Sequence, residues 1–256
     1  MSKVKQGVAW YDAPGRGWLR DIWVLSHFPY TCWHLAYVVI GAALSPRLDW
    51  GVLGWTVLAF FLGMGISAHC ADELKGRPLR TSIPGWILAL LGGVSLAGAA
   101  VIGLTVGLQE TIWIFPCVIF GVFIVFAYNM EWGPKGFFHR DEWFGFAWGA
   151  FPALTAYIAQ AHTVSPVIIL VAAFALLYSC TQRVLSLQTR FWRRKVDTLE
   201  GHYYLERDRP VVPGGLFTWR SYYITKQDII RPAEVALKLM NAAIIAAAAG
   251  LLLLHI

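Results

Sequence analysis

Charge is scarce in this chain: Asp, Glu, Lys and Arg make up 14% of its 256 residues, against 57% hydrophobic residues. The apolar residues fall in runs too continuous to be the faces of a soluble bundle, which excludes a water-soluble globular fold. Cysteine is thin as well. Cys32, Cys70, Cys117 and Cys180 are scattered, so neither C-x-x-C chemistry nor a disulfide framework is present. Repeats and low-complexity tracts are missing. Residues 1–20 lack the apolar core and small-residue cleavage site of a secretory leader, being mixed, Gly-rich and aromatic. One integral membrane domain over 1–256 is the simplest organisation. Its first 21 residues form a cytoplasmic arm, with Trp10, Tyr11 and Trp18 on the membrane surface.

What is abundant is apolar length. About seven runs approach the ~20 residues that cross a bilayer, at 22–44, 51–69, 84–107, 111–128, 143–161, 165–187 and 234–254. Lipid offers no partner for an unpaired backbone amide, and the runs lack the alternation of a membrane barrel, so they predict helices. The fold expected is therefore an all-α, polytopic membrane helix bundle. Thirteen Trp and ten Tyr, several at run ends such as Trp50, Trp86, Trp143 and Tyr178, fit an interfacial belt.

The 21 Lys and Arg set the orientation. The arm and the second, fourth and sixth connections hold nearly all of them, and the first, third and fifth hold only Arg47. The positive-inside rule then puts the N-terminus and the even-numbered connections in the cytoplasm and the C-terminus outside, in an inner or plasma membrane. The net charge of +6 is mostly this bias; it suits an anionic phosphate head group and is weak support for nucleic acid, which is not expected as a partner.

Two connections carry most of the chemistry. In the second, His69, Asp72 and Glu73 stand at i, i+3 and i+4 if the helix persists one more turn, a spacing that suits a divalent metal. Lys75, Arg77 and Arg80 come next, beside Gly76 and Pro78, able to neutralise an anion. A solvated, salt-bridged loop is the plain alternative. In the fourth, Tyr128, Asn129 and Glu131 lie in or near the bilayer, where polar groups face a bundle interior. Asp141 or Glu142 can cap the next helix. His27 and His34, seven apart, share a helix face, but nothing else supports haem; His162 and His255 read as interfacial, and Asn241 as an interhelical hydrogen bond. The sixth connection, 188–231, is long: Gln188 to Val196 extends helix six, carrying Arg190, Arg193, Arg194 and Lys195. The aromatics of 201–204 and 219–223 lie on the bilayer or cover the cavity. Thr225-x-x-Asp228 resembles a capping box, and Pro232 opens the last helix.

The stretch from Leu25 to Pro84, with His27-Phe28-Pro29-Tyr30-Thr31, Gly41-Ala42-Ala43, a Gly-rich second span, a charged loop and the Arg77 to Thr81 step, resembles the UbiA-type intramembrane prenyltransferases. Tyr128 to Gln160 is similar to that family's fourth and fifth helices. The resemblance implies a UbiA-like bundle that moves a prenyl group from its diphosphate with Mg²⁺ held by two Asp-rich loops. It departs in three ways. Only Asp72 of the first Asp motif remains, joined by Glu73; no carboxylate comes after helix six before Asp197; and seven spans stand where the family has nine.

On that resemblance, Asp72, Glu73 and His69 are the catalytic and Mg²⁺-binding candidates. Lys75, Arg77, Arg183 and Arg190 hold phosphate oxygens, and Tyr128, Asn129 and Glu131 border the acceptor. The competing expectation is a non-catalytic protein that binds a quinone, carotenoid or other prenyl lipid, or a structural subunit of a membrane complex. A third, a redox-metal enzyme, needs His69, Asp72, Glu73, His139 and Asp141 to converge.

Overall fold

The computed structural model describes residues 9–13, 15, 17–204 and 221–256 and is 76% helical. A short helix α1 (Trp18–Leu25) turns its apolar Trp18, Leu19 and Ile22 outward and buries Asp21 and Val24. Next along the chain are α2 (Phe28–Ala43), α3 (Trp50–Leu74), α4 (Gly85–Gln109), α5 (Ile114–Asn129), α6 (141–161) and α7 (Pro166–Arg194). A two-stranded antiparallel hairpin, β1 (Glu200–Tyr204) with β2 (Ser221–Thr225), leads into α8 (Lys226–Leu252).

Four helical segments are long and apolar enough to cross a membrane: α3, α4, α7 and α8 continued to His255; α5 is apolar but shorter. The protein is thus a mostly helical membrane protein. Large apolar side chains such as Leu108, Ile119 and Leu170 are exposed on its outside, as lipid-facing positions are.

The helix ends obey local chemistry. Asp49 caps α3 by accepting from Val52 N at 2.9 Å, and the Gln160 amide brackets the Asp49 backbone at 2.8 and 2.9 Å. Ser165 caps α7 ahead of Pro166, and Thr225 with Asp228 forms the expected capping box at the start of α8. Pro232 does not open the last helix. The box starts α8 well upstream, and Pro232 sits inside it.

Helix α2 is the centre of the bundle, packed between α6 and α8, with Trp33, Tyr37 and Val38 fully buried. Its approach to α6 is backbone-close at Gly41. A methyl there would lie 2.1 Å from the Ala153 carbonyl oxygen, so only glycine fits. Two helices contain π-helical turns, Phe61–Ala68 in α3 and Phe146–Ala150 in α6. Such turns shift the helical phase of the residues beyond them and free backbone carbonyls, and they recur at functional sites. In α3, Gly65 lets this turn lie close against α2: a Cβ there would meet Thr31 Cγ2 at 2.8 Å.

The arm does not lie on the surface as expected. Tyr11 is buried, packing edge-on against Trp10 and Tyr30 and tilted over His27, and Trp10 Nε1 donates to Tyr30 Oη at 3.1 Å. Arg20 holds this segment through both Asp12 oxygens at 3.1 Å. Trp18 alone of the three stays exposed, on α1. Trp219 and Arg220, expected on the bilayer, lie outside the described residues.

Candidate functional site

A polar cavity of about 300 Å³ opens where α2, α3, α5, α6 and α7 meet, and it gathers residues from the second, fourth and sixth connections. From α3 it takes Ala68, His69, Asp72 and Lys75. These positions form one helical stripe, since ~100° per residue brings i, i+1, i+4 and i+7 to one side. Position 73 stands ~100° from position 72, at the edge of that stripe, and its side chain turns to the loop that follows α3.

Glu73 therefore does not join His69 and Asp72. It is fully buried and accepts from Leu79 N at 2.9 Å, Thr81 N at 2.9 Å and Thr81 Oγ1 at 2.7 Å. The three donors take up both carboxylate oxygens, so Glu73 fastens the loop after α3. Arg77, expected to hold phosphate, also serves that loop: its backbone is left-handed at φ 55° and its Nη1 donates to Ile83 O at 2.5 Å. Beside it, Asp21 accepts from Ser82 N at 2.7 Å and Ser82 Oγ at 2.5 Å, and from Arg20 at 3.2 Å. Burial alone would raise the Asp21 pKa; the Ser82 and Arg20 donors outweigh it and hold the carboxyl below its usual range.

His69 stacks on His27, with ring centroids 4.2 Å apart and planes 16° from parallel. His27 is placed there by a left-handed backbone, φ 43°, at the joint between α1 and α2, and its Nδ1 lies 3.1 Å from Leu25 O. His69 Nε2 lies 3.4 Å from Thr31 Oγ1.

Across the cavity, Tyr128, Asn129 and Glu131 are present as expected, but each is engaged. Asn129 Nδ2 donates to Val125 O at 2.6 Å, and Glu131 pairs with Lys75 at 3.1 Å; Lys75 Nζ also donates to Met130 O at 3.1 Å. Tyr128 Oη accepts from Arg183 Nη1. Arg183 also binds Asp141 through Nε at 2.5 Å and His139 O through Nη2 at 3.1 Å, with its guanidinium over the Tyr128 and Phe144 rings. Expected as a phosphate ligand, Arg183 instead ties α5, the fourth connection and α6 together. Asp141 stands with Glu142 in the first turn of α6, as expected, and is also the counter-ion of Arg183.

Further along α7, Ser186, Arg190 and Arg194 continue the cavity-facing stripe of Arg183 at i+3, i+7 and i+11. Arg190 Nε donates to Ser186 O at 3.3 Å, and neighbouring Arg193 pairs with Glu234 at 2.5 Å. The cationic wall thus lies on α7, with Lys75 opposite. Gln182, His34 and Tyr30 also line the cavity. Gln182 carries no motif, whereas His34 is marked in the sequence only by its spacing from His27 and Tyr30 only as part of the 27–31 segment.

The donor set does not fit a protein-held Mg²⁺. Glu73 is spent on the loop and Glu131 on Lys75. Among the described residues no three His, Cys, Asp or Glu side chains converge as metal ligands. The same finding goes against a redox metal at His69, Asp72, Glu73, His139 and Asp141, because Glu73 and Asp141 bind other groups.

A second space, an apolar crevice of about 100 Å³, lies between α3, α4, α5 and α6 beside Gly63, Ala99, Gly103 and Gly121. Trp148, in the π-turn of α6, lines both the crevice and the polar cavity. No family model matches the chain, no curated protein is similar to it, and no solved structure matches its fold.

Proposed function

We propose that this membrane protein binds a lipid with a phosphate-bearing head in the polar cavity, and that its ligand is an isoprenoid diphosphate, as the UbiA resemblance suggests. The observation that carries the reading is the α7 stripe of Arg190 and Arg194 facing a 300 Å³ polar cavity, with an apolar crevice on the far side of Trp148. Guanidinium groups at a membrane boundary bind phosphate oxygens bidentately, and an apolar slot between helices takes chain. His69 and Asp72 are the cavity's candidates for proton exchange with the head group. Binding is favoured over metal-assisted transfer, because Glu73 is engaged by the loop and leaves Asp72 as the one expected Mg²⁺ carboxylate in the cavity.

In this reading the chain crosses the membrane seven times, adding α2, α5 and α6 to the four long apolar segments, with the cavity on the cytoplasmic side of a cell membrane. In a cysteine-free background, Thr163→Cys should react with an impermeant thiol reagent on intact cells and Lys135→Cys should not.

The direct test is thermal shift and native mass spectrometry of the purified protein with geranyl, farnesyl and geranylgeranyl diphosphates in EDTA. Stabilisation by the diphosphates and not by the matching alcohols is expected, and Arg190→Gln should weaken it about tenfold, in keeping with loss of a charge-assisted pair. Equal response to alcohol and diphosphate, or an unaffected Arg190→Gln, would rule the reading out.

A further inference from the structure

The N-terminal arm forms part of the wall of the polar cavity. Ala9, Trp10 and Tyr11, which precede α1, line it together with Arg190 and Arg194 of α7. Residues 9–13 belong to no helix or strand, and they grip the bundle mainly through side chains. The Tyr11 ring lies 5.7 Å from the His27 ring and 5.6 Å from the Tyr30 ring, and Trp23 Nε1 donates to Tyr11 O at 2.7 Å. Trp10 meets Tyr30 edge-on at 6.2 Å, and the Lys238 ammonium of α8 stands 5.4 Å from its ring.

Two features make this segment movable. The first is its joint with α1. Gly15 and Gly17 stand at φ 99° and 128°, with nothing within 4 Å of where a Cβ would lie. Gly17, at ψ 170°, occupies a region that glycine alone enters without strain. The chain can therefore turn at this joint without displacing a neighbour. The second is a clasp. Arg20 grips Asp12 bidentately, Nε to Oδ1 and Nη2 to Oδ2 at 3.1 Å each, while its Nη1 donates to Asp21 at 3.2 Å and to Leu79 O at 3.4 Å. Asp21 and Leu79 are held in turn by Ser82 and Glu73. One half of the clasp is thus fixed to the loop after α3, and the other half rides on the arm.

We infer that residues 9–13 are a strap that closes the polar cavity and swings on Gly15 and Gly17 to admit ligand, with the Asp12–Arg20 pair as its clasp. The inference rests on the cavity as the binding site proposed above and adds how that site is opened. Its test contains no ligand, so the two readings fail separately.

Ser186 lines the cavity and is buried, and Cys70 is fully buried in a different cluster. In a chain whose only cysteines are Cys70 and Ser186→Cys, the rate of modification by iodoacetamide, followed at each site by peptide mass spectrometry, reads opening of the cavity at position 186 and loosening of the bundle at Cys70. With the strap intact, position 186 should react slowly. Asp12→Asn weakens the clasp, and Gly17→Ala puts a side chain at positive φ in the closed joint; each should raise the rate at 186 about tenfold. Deleting residues 2–13 should raise it further and abolish the effect of Gly17→Ala, with Cys70 protected throughout. A rate at 186 left unchanged by either substitution would make the arm a fixed wall and overturn the proposal. An effect of Gly17→Ala that persists without the strap would overturn it too, as would Cys70 reacting in step with position 186. Should the deleted chain not fold, the two substitutions decide alone.

Discussion

Two adjacent carboxylates, Asp72 and Glu73, should behave in opposite ways when removed. Glu73 is fully buried and takes three hydrogen bonds at 2.7 to 2.9 Å from Leu79 and Thr81. Replacing it by Ala strands two backbone N–H groups and a hydroxyl. Hydrogen bonds to a charged acceptor contribute about 1.5–3 kcal/mol each, which would naively total about 4.5–9 kcal/mol. The loop after α3 is short and next to solvent-exposed Arg80 and Ser82, so water reaches part of it and the loss should settle near 3–5 kcal/mol. For a chain of this size that is a fall of roughly 6–20 °C in melting temperature. Asp72→Asn, by contrast, changes a cavity-lining side chain with no backbone depending on it and should shift the melting temperature by no more than about 2 °C. Thermal unfolding of the two variants in the same detergent decides the matter. A Glu73→Ala protein as stable as the wild type would refute the assignment of Glu73 to the loop and restore it as a candidate for the cavity.

Three further outcomes are expected. Gly41→Ala drives a methyl into the Ala153 backbone and should cost at least the ~1–3 kcal/mol of core overpacking, read as a lower melting temperature or loss of folded protein, while Gly54→Ala, which meets nothing within 4 Å, should be neutral. Arg183→Met leaves Asp141 without its partner; because the Asp141 side chain is 45% exposed, solvent screens it, and about 1–3 kcal/mol should be lost, part of it recovered in the Arg183→Met, Asp141→Asn double variant. Asp21 has a folded-state pKa below its unfolded ~4, so its contribution is present above that pH and is lost as the pH falls through the lower folded value. Melting temperatures of wild type and Asp21→Asn should accordingly converge as the pH is lowered from 7 to 3.5; a gap that stays constant would show that Asp21 does not gain from its Ser82 and Arg20 donors.

The helices could be read from the sequence because hydrophobic length is a local property: six of the seven expected apolar runs each fall on one helix, the first, 22–44, being broken at the left-handed His27 into α1 and α2, and the Thr225 and Asp228 box is legible from two residues three apart. What failed was non-local or a matter of phase. Pro232 looks like a helix start until one knows that the box upstream has already begun the helix. His69, Asp72 and Glu73 look like one face at i, i+3 and i+4, but a cavity that accepts the 68, 69, 72 and 75 stripe leaves 73 on the side of the loop, and that loop needed an acceptor for its N–H groups more than the cavity needed a third ligand. Charge misled in the same manner. Arg183 reads as an available cation because its Asp141 partner lies 42 residues away, at the start of another helix.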